Sequence, residues 1–104
     1  MNVQLKKGAL ELCVLSLLNL RDMYGFELVS AISDGIEISE GAIYPLLKRI
    51  KELGYVTTYL QESADGPPRK YYTITPEGKA VKREMECEWR AFVNGMDKIL
   101  KRGI

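Results

Sequence analysis

Apolar residues crowd the first twenty positions. From about Gly8 to Leu20 the chain carries Ala9, Leu10, Leu12, Cys13, Val14, Leu15, Leu17, Leu18 and Leu20, interrupted only by Glu11, Ser16 and Asn19. Such a run is apolar almost all round a helix, and a helix of that kind is buried on most sides. A chain of 104 residues builds one modest core. Cover on two sides of its first helix therefore points to a second subunit.

Arg21-Asp22-Met23 reads as a short connection. Phe26, Leu28, Val29 and Ile32 then recur on one face of a second helix, opened by Tyr24-Gly25 and stopped near Ser33 by Asp34-Gly35. A third helix is predicted from Ser39, whose hydroxyl can cap it, to Leu53, with Gly54 as a left-handed stop. Its buried stripe is Ile43, Leu46, Leu47, Ile50 and Leu53. Opposite lie Tyr44, Lys48 and Lys51, with Ala42, Pro45 and Arg49 beside them. Pro45 removes a helix bond to Gly41, and breaches of local rules gather at functional sites.

The rhythm then changes. Tyr55–Leu60 and Tyr71–Ile74 are rich in aromatic and β-branched residues, which predicts two strands joined by a long tip, Gln61–Lys70, stiffened by Pro67 and Pro68. Alternation along the return strand sends Tyr71 and Tyr72 to opposite faces. Thr75-Pro76-Glu77-Gly78 opens a last helix, with Thr75 as cap and Pro76 in the first turn. That helix is expected to run to about Lys101.

Along it Val81, Met85, Trp89, Phe92, Met96 and Ile99 recur at steps of three and four, with Val93 and Leu100 beside them and charges on the other faces. This is a coiled-coil-like seam. It either folds back on its own domain or takes a partner. The cover that the first helix also needs favours a homodimer, with Leu10, Val14 and Leu17 joining Val81, Met85, Trp89, Phe92, Met96 and Ile99 in the interface.

The order helix, helix, helix, strand, strand, helix is a winged helix-turn-helix. The expected architecture is mostly α with a β-hairpin: a DNA-binding unit over residues 1–75 and a C-terminal dimerisation helix over 76–104, forming one compact body. A helix-turn-helix lays its second helix in the major groove of duplex DNA, here the helix from Ser39 to Leu53. Ser39, Glu40, Gly41 and Ala42 are small or capping residues at a helix start, which favours phosphate. Tyr44, Lys48 and Arg49 follow on the same helix, and the hairpin adds Arg69 and Lys70. Taken singly, each basic cluster is an ordinary solvated surface. Their joint occurrence on the third helix and the wing is what electrostatic affinity for DNA requires.

Charge and composition narrow the alternatives. There are 15 basic and 14 acidic side chains, a net charge of +1, so the sum alone does not mark a nucleic-acid binder; distribution sets a binding patch. The competing class is a protein–protein module on the same fold, which salt dependence separates from DNA binding. There is no histidine, which removes the commonest general base and metal ligand. Two isolated cysteines give no metal spacing, no phosphate loop or nucleophile motif is present, and Glu84 with Glu88 reads as a solvated pair. The expectation is neither an enzyme nor a cofactor protein. Cys13 and Cys87 are expected as buried small residues without a disulfide. Lys6-Lys7 lead into a folded helix with no small-residue cleavage site, and the apolar run is too interrupted to span a membrane. The expected location is the cytoplasm.

Taken together, Tyr24-Gly25, Ile43-Tyr44-Pro45-Leu46-Leu47-Lys48-Arg49, Leu53-Gly54, Gly66 through Arg69-Lys70-Tyr71-Tyr72, and Thr75-Pro76-Glu77-Gly78 resemble the PadR family, over nearly the whole chain. The single short last helix resembles its compact subgroup, which includes multidrug-sensing members. The resemblance implies a homodimeric repressor on a pseudo-palindromic operator. It also implies a planar aromatic effector. In multidrug-sensing relatives a tryptophan of the last helix stacks such compounds at the dimer centre, and Trp89 takes that place, with Phe92, Val93 and Met96 around it. The chain departs from the pattern at Glu86, Arg90 and Val93 beside Trp89, and at Pro67-Pro68 in the wing.

Overall fold

The computed structural model describes residues 3–102, with side chains from residue 8 onward; the Lys6 and Lys7 side chains and the outermost ends of the two expected units lie outside the described residues. The apolar run forms α1 (Val3–Leu20), which begins more than a turn ahead of Gly8. Its Leu10, Val14, Leu15 and Leu18 enter a core completed by Leu28 and Ile32 of α2 (Gly25–Ser33) and by Ile43, Leu46, Leu47 and Ile50 of α3 (Glu40–Glu52). The stripe read from α3 is buried up to Ile50. Leu53, one residue past the helix as its cap, is largely exposed.

Between α1 and α2 the chain does not simply turn. Met23–Tyr24 forms a two-residue strand, β1, paired antiparallel with the hairpin through Met23↔Tyr72 and Tyr24↔Tyr71. The hairpin strands are β2 (Val56–Ser63) and β3 (Gly66–Ile74), and the sheet order is β1-β3-β2. The expected long tip is absent: pairing extends to Ser63↔Gly66. Pro67 and Pro68 lie within β3, opposite the irregularity between Gln61 and Ser63 of its partner, the kind of position at which a strand tolerates proline. The sheet's inner face carries Met23, Val56 and Tyr72 into the core. Tyr71 takes the outer face, as alternation requires.

Helix ends follow local chemistry with one exception. Gly54 adopts φ +82° and closes α3, with its N–H on the Lys51 carbonyl and that of Tyr55 on Ile50, a left-handed stop that glycine adopts without steric cost. Ser39 occupies the α3 cap position, but its hydroxyl makes no capping bond; its carbonyl accepts the Ala42 N–H instead. Pro45 sits inside α3 at an exposed position, as does Gly41, so the carbonyl that loses its helix donor meets water.

The last helix, α4 (Pro76–Arg102), is locked to the end of α3. The Thr75 hydroxyl donates to the Gly54 carbonyl at 2.7 Å and accepts the Gly78 N–H at 3.0 Å. Gly78 is buried, and a Cβ there would overlap the Tyr55 carbonyl and approach Ile74 Cγ1 within 2.8 Å. Backbone against backbone leaves no side chain free to yield. Gly78→Ala is therefore expected to destabilise by about 1–3 kcal/mol, lowering the melting temperature by roughly 4–8 °C per kcal/mol for a domain of this size. Thermal denaturation at fixed protein concentration checks this; an unchanged midpoint would mean that α4 docks less closely. Among the described residues no helix is long and apolar enough to cross a membrane.

Candidate nucleic-acid interface

The second and third helices meet through a glycine and a tyrosine. A Cβ on Gly25 would lie 2.8 Å from the Tyr44 ring, so the ring rests on the bare backbone at the start of α2. Tyr44 is nevertheless 45% exposed. One side of its ring sets the approach of the two helices and the rest faces outward. Ser39, Glu40, Gly41, Ala42, Lys48 and Lys51 are also exposed, which leaves the start of α3 and its polar side clear of the domain.

The wing carries an aromatic row on its outer face. Tyr59 stacks on Tyr71 at 5.6 Å, Tyr71 meets Tyr24 edge-on at 5.4 Å, and Tyr24 stacks with Phe26 at 6.4 Å. The Arg69 guanidinium lies 4.8 Å above the Tyr24 ring, a cation–π contact that holds it at the mouth of the wing. Phe26, expected in the core face of α2, is instead 59% exposed because it extends this row. Since β1 covers β3 only at Tyr71 and Tyr72, the rest of that edge stays open. A cleft of about 440 Å³ lies there, lined by Tyr24, Gly25, Phe26, Tyr44, Arg69, Lys70 and Tyr72. Residues from α3, the start of α2 and the wing thus converge on one concavity, with Arg69 and Lys70 as its cations.

Arg49 is the exception among the expected contacts. Its guanidinium is 2.6 Å from the Glu11 carboxylate of α1, and Glu11 is buried. The side chain is turned toward α1, away from the expected DNA-facing set. No local signal points to this pair, because the partner lies 38 residues away and Glu11 reads as a mere break in an apolar run.

A second carboxylate fixes the wing. Thr73 and Tyr59 hydroxyls hold the Asp22 carboxyl below the usual carboxylate range, and the Tyr59 bond is 2.7 Å long. The same bond to Asp22, with some burial, raises the Tyr59 phenol. A carboxyl lowered in the folded state adds stability above its unfolded value and loses it as pH falls through the folded one. The gap in melting temperature between wild type and Asp22→Ala is thus expected to be open at pH 7, to narrow below about pH 4, and to close at still lower pH. A gap independent of pH would assign the effect to packing.

On the far side of the domain, α1 and α4 enclose a groove of about 260 Å³ lined by Gly8, Ala9, Leu12, Met85, Glu88, Trp89 and Phe92. Of the residues expected around a ligand at the dimer centre, Trp89 and Phe92 line this groove of the single chain; Val93 and Met96 do not. Val81 and Met85 pack on their own core, whereas Phe92, Met96, Ile99 and Leu100 are 40–65% exposed. The seam therefore divides into a half used within the chain and a half left open. Leu10 and Val14, expected at a subunit interface, are enclosed by their own chain at 5% and 0% exposure. The half-buried Leu17 borders a further groove of about 320 Å³ with Leu12, Cys13, Ala31 and Ile36. Both cysteines are free; Cys13 is half-buried, with its thiol pushed up by burial, but Cys87 is exposed rather than buried. Among the described residues no group of three or more histidine, cysteine or acidic side chains could hold a metal ion.

The comparisons with known proteins agree with this architecture. The family model described as the transcriptional regulator PadR-like family matches residues 14–84. A Lysinibacillus sphaericus protein described as uncharacterized is 33% identical over 87 residues, 80% of each chain. A PadR family transcriptional regulator from Eggerthella lenta is 36% identical with a TM-score of 0.82, over 94% of this chain and 87% of that one. A PadR-like transcriptional regulator from Bacillus cereus is 35% identical, also at 0.82, over 93% and 96%.

Proposed function

The chain belongs to the PadR-like family of transcriptional regulators, and from that premise we propose that it is a dimeric repressor that binds a pseudo-palindromic operator in duplex DNA. The observation that carries this reading is the cleft where Tyr44, Arg69 and Lys70 converge. α3 enters the major groove from its exposed start, Ser39 to Ala42, with Tyr44 and Lys48 reaching base edges or phosphates. The wing sets Arg69 and Lys70 against the neighbouring backbone. Positive charge on both elements supplies affinity despite the near-neutral total, because counterion release counts local contacts.

The exposed half of α4 supplies the surface for a second copy. A groove of about 260 Å³ falls just short of the usual range for a small-molecule site, about 300–1,000 Å³. A second copy of the groove across a two-fold axis would enlarge it around the two Trp89 rings. A planar aromatic compound stacked there would change the spacing of the recognition helices, which must match about 34 Å, and so release DNA. The cytoplasm, where the DNA is, is the setting of this activity.

The test is selection from a random duplex library at low salt. Enrichment of a two-fold symmetric motif, with binding that weakens steeply as salt rises, is the expected result. Retention of no duplex would overturn the DNA-binding reading and favour a protein–protein module. Quenching of Trp89 fluorescence by planar aromatic compounds tests the effector; no response across a broad panel leaves the tryptophan as interface packing.

A further inference from the structure

We propose that Glu11 is a positioning residue for DNA recognition: it holds Arg49 back from the phosphates and ties α3 to α1. This rests on the DNA-binding reading and deepens it.

Three observations carry the proposal. Among the described residues Glu11 is the charged one that is buried, at 8% exposure, on a helix whose Leu10, Val14, Leu15 and Leu18 enter the core. A carboxylate costs a great deal to bury without a partner, so its bond to Arg49 at 2.6 Å is required by its surroundings. Arg49, by contrast, is only half enclosed, with 42% of its side chain exposed; released, its long side chain has solvent to move through. Finally, Arg49 follows Lys48 directly on α3, and Lys48 is exposed. A freed guanidinium beside it could reach DNA as readily as the lysine does. The pair thus does two things. It takes one cation out of the sequence-independent attraction, and it fixes the rotation of α3 about its own axis against α1. The adjoining positions of α1, Gly8, Ala9 and Leu12, wall the groove that holds Trp89, so α3 is tied to the helix that an effector would touch.

The number of phosphates neutralised is read from the salt dependence of binding, whose logarithmic slope is about −0.9 for each phosphate contact. The experiment compares wild type, Glu11→Leu and the double variant Glu11→Leu/Arg49→Met on the duplex recovered by selection and on a scrambled duplex. Removing Arg49 alone would strand a buried carboxylate and endanger the fold; the double variant avoids this by removing both charges. Glu11→Leu is expected to steepen the slope by about 0.9 per protomer, roughly 1.8 for the dimer, on both duplexes and to lower the preference for the selected sequence. The double variant is expected to return to the wild-type slope. A double variant shallower than wild type by the same amount would show that Arg49 already contacts phosphate, and an unchanged slope in Glu11→Leu would show that Glu11 restrains nothing; either overturns the proposal. If wild type itself binds neither duplex, the DNA-binding reading falls and takes this proposal with it.

Discussion

Tyr44→Phe combined with Arg69→Ala is expected to weaken operator binding by roughly 700-fold or more, a loss of about 4 kcal/mol or more for two contacts repeated in both protomers, while the melting temperature stays within about 2 °C of wild type. Phenylalanine is the informative change at position 44. The ring lies on Gly25 at a distance no extra atom could share, so alanine would open the joint between α2 and α3 and confuse a folding effect with a binding one. Removing the hydroxyl alone keeps the joint. At Arg69 truncation is clean, because the guanidinium contacts the outside of the Tyr24 ring and leaves no buried group unpaired. Its loss should also make the salt slope shallower by about 0.9 per protomer, roughly 1.8 for the dimer, a signature that Tyr44→Phe should lack. Lys101→Ala, in the last turn of α4, is the control. Electrophoretic mobility shift or fluorescence anisotropy at two salt concentrations reads both quantities. Unaltered affinity in the double variant would remove the cleft from the DNA-binding surface.

What the sequence disclosed and what it withheld divide along the range of the interactions. Four helices and the hairpin were legible because their signals are local: the stripe Ile43–Ile50, the stop at Gly54, the cap at Thr75. β1 was not legible. Two residues carry no periodicity, and Met23 becomes a strand only because Tyr72, distant in the chain, is there to pair with it. The wing's paired tip is hidden for a related reason. Proline argues against a strand interior, yet Pro67 and Pro68 fall where the pairing with the partner strand is irregular.

The candidate site shows the same division. Tyr44 and Lys48 were found from helix periodicity and Arg69 and Lys70 from their place in the hairpin. Tyr24 and Phe26, which complete the cleft, read locally as a helix start and a core position, since nothing local says that a row of rings will run from Tyr59 to Phe26. The sequence neighbours of Arg49 put it on the DNA face, and only the fold reveals the carboxylate of α1 that holds it. An α1 that is apolar all round points Leu10 and Val14 to a partner. The domain's own helices and sheet proved able to enclose that side.

The half of α4 that the domain does not enclose carries the prediction with the widest consequence. Phe92→Glu is expected to convert the protein to monomers of 11.8 kDa in sedimentation velocity and to weaken operator binding by about 100-fold or more. Phe92 is 50% exposed beside Trp89, their rings 6.1 Å apart, in the open part of the seam. A two-fold axis repeats any substitution, so one change buries two carboxylates against apolar surface, each costing several kcal/mol if unpaired. The loss in DNA affinity follows without any change at the recognition helix, because joining two half-site binders gains about 10²–10⁴ in affinity through effective concentration. A single half-site should still be bound weakly, with its salt dependence roughly halved. Leu17→Glu, in the groove between α1 and α2, locates the partner surface. If it also yields monomers, the distal α4 of one protomer lies in that groove of the other. If it leaves the dimer intact while Phe92→Glu breaks it, the two α4 seams pack on each other, and the Trp89 rings of both protomers face one shared site. A dimer that survives both substitutions would move the interface away from α4 altogether.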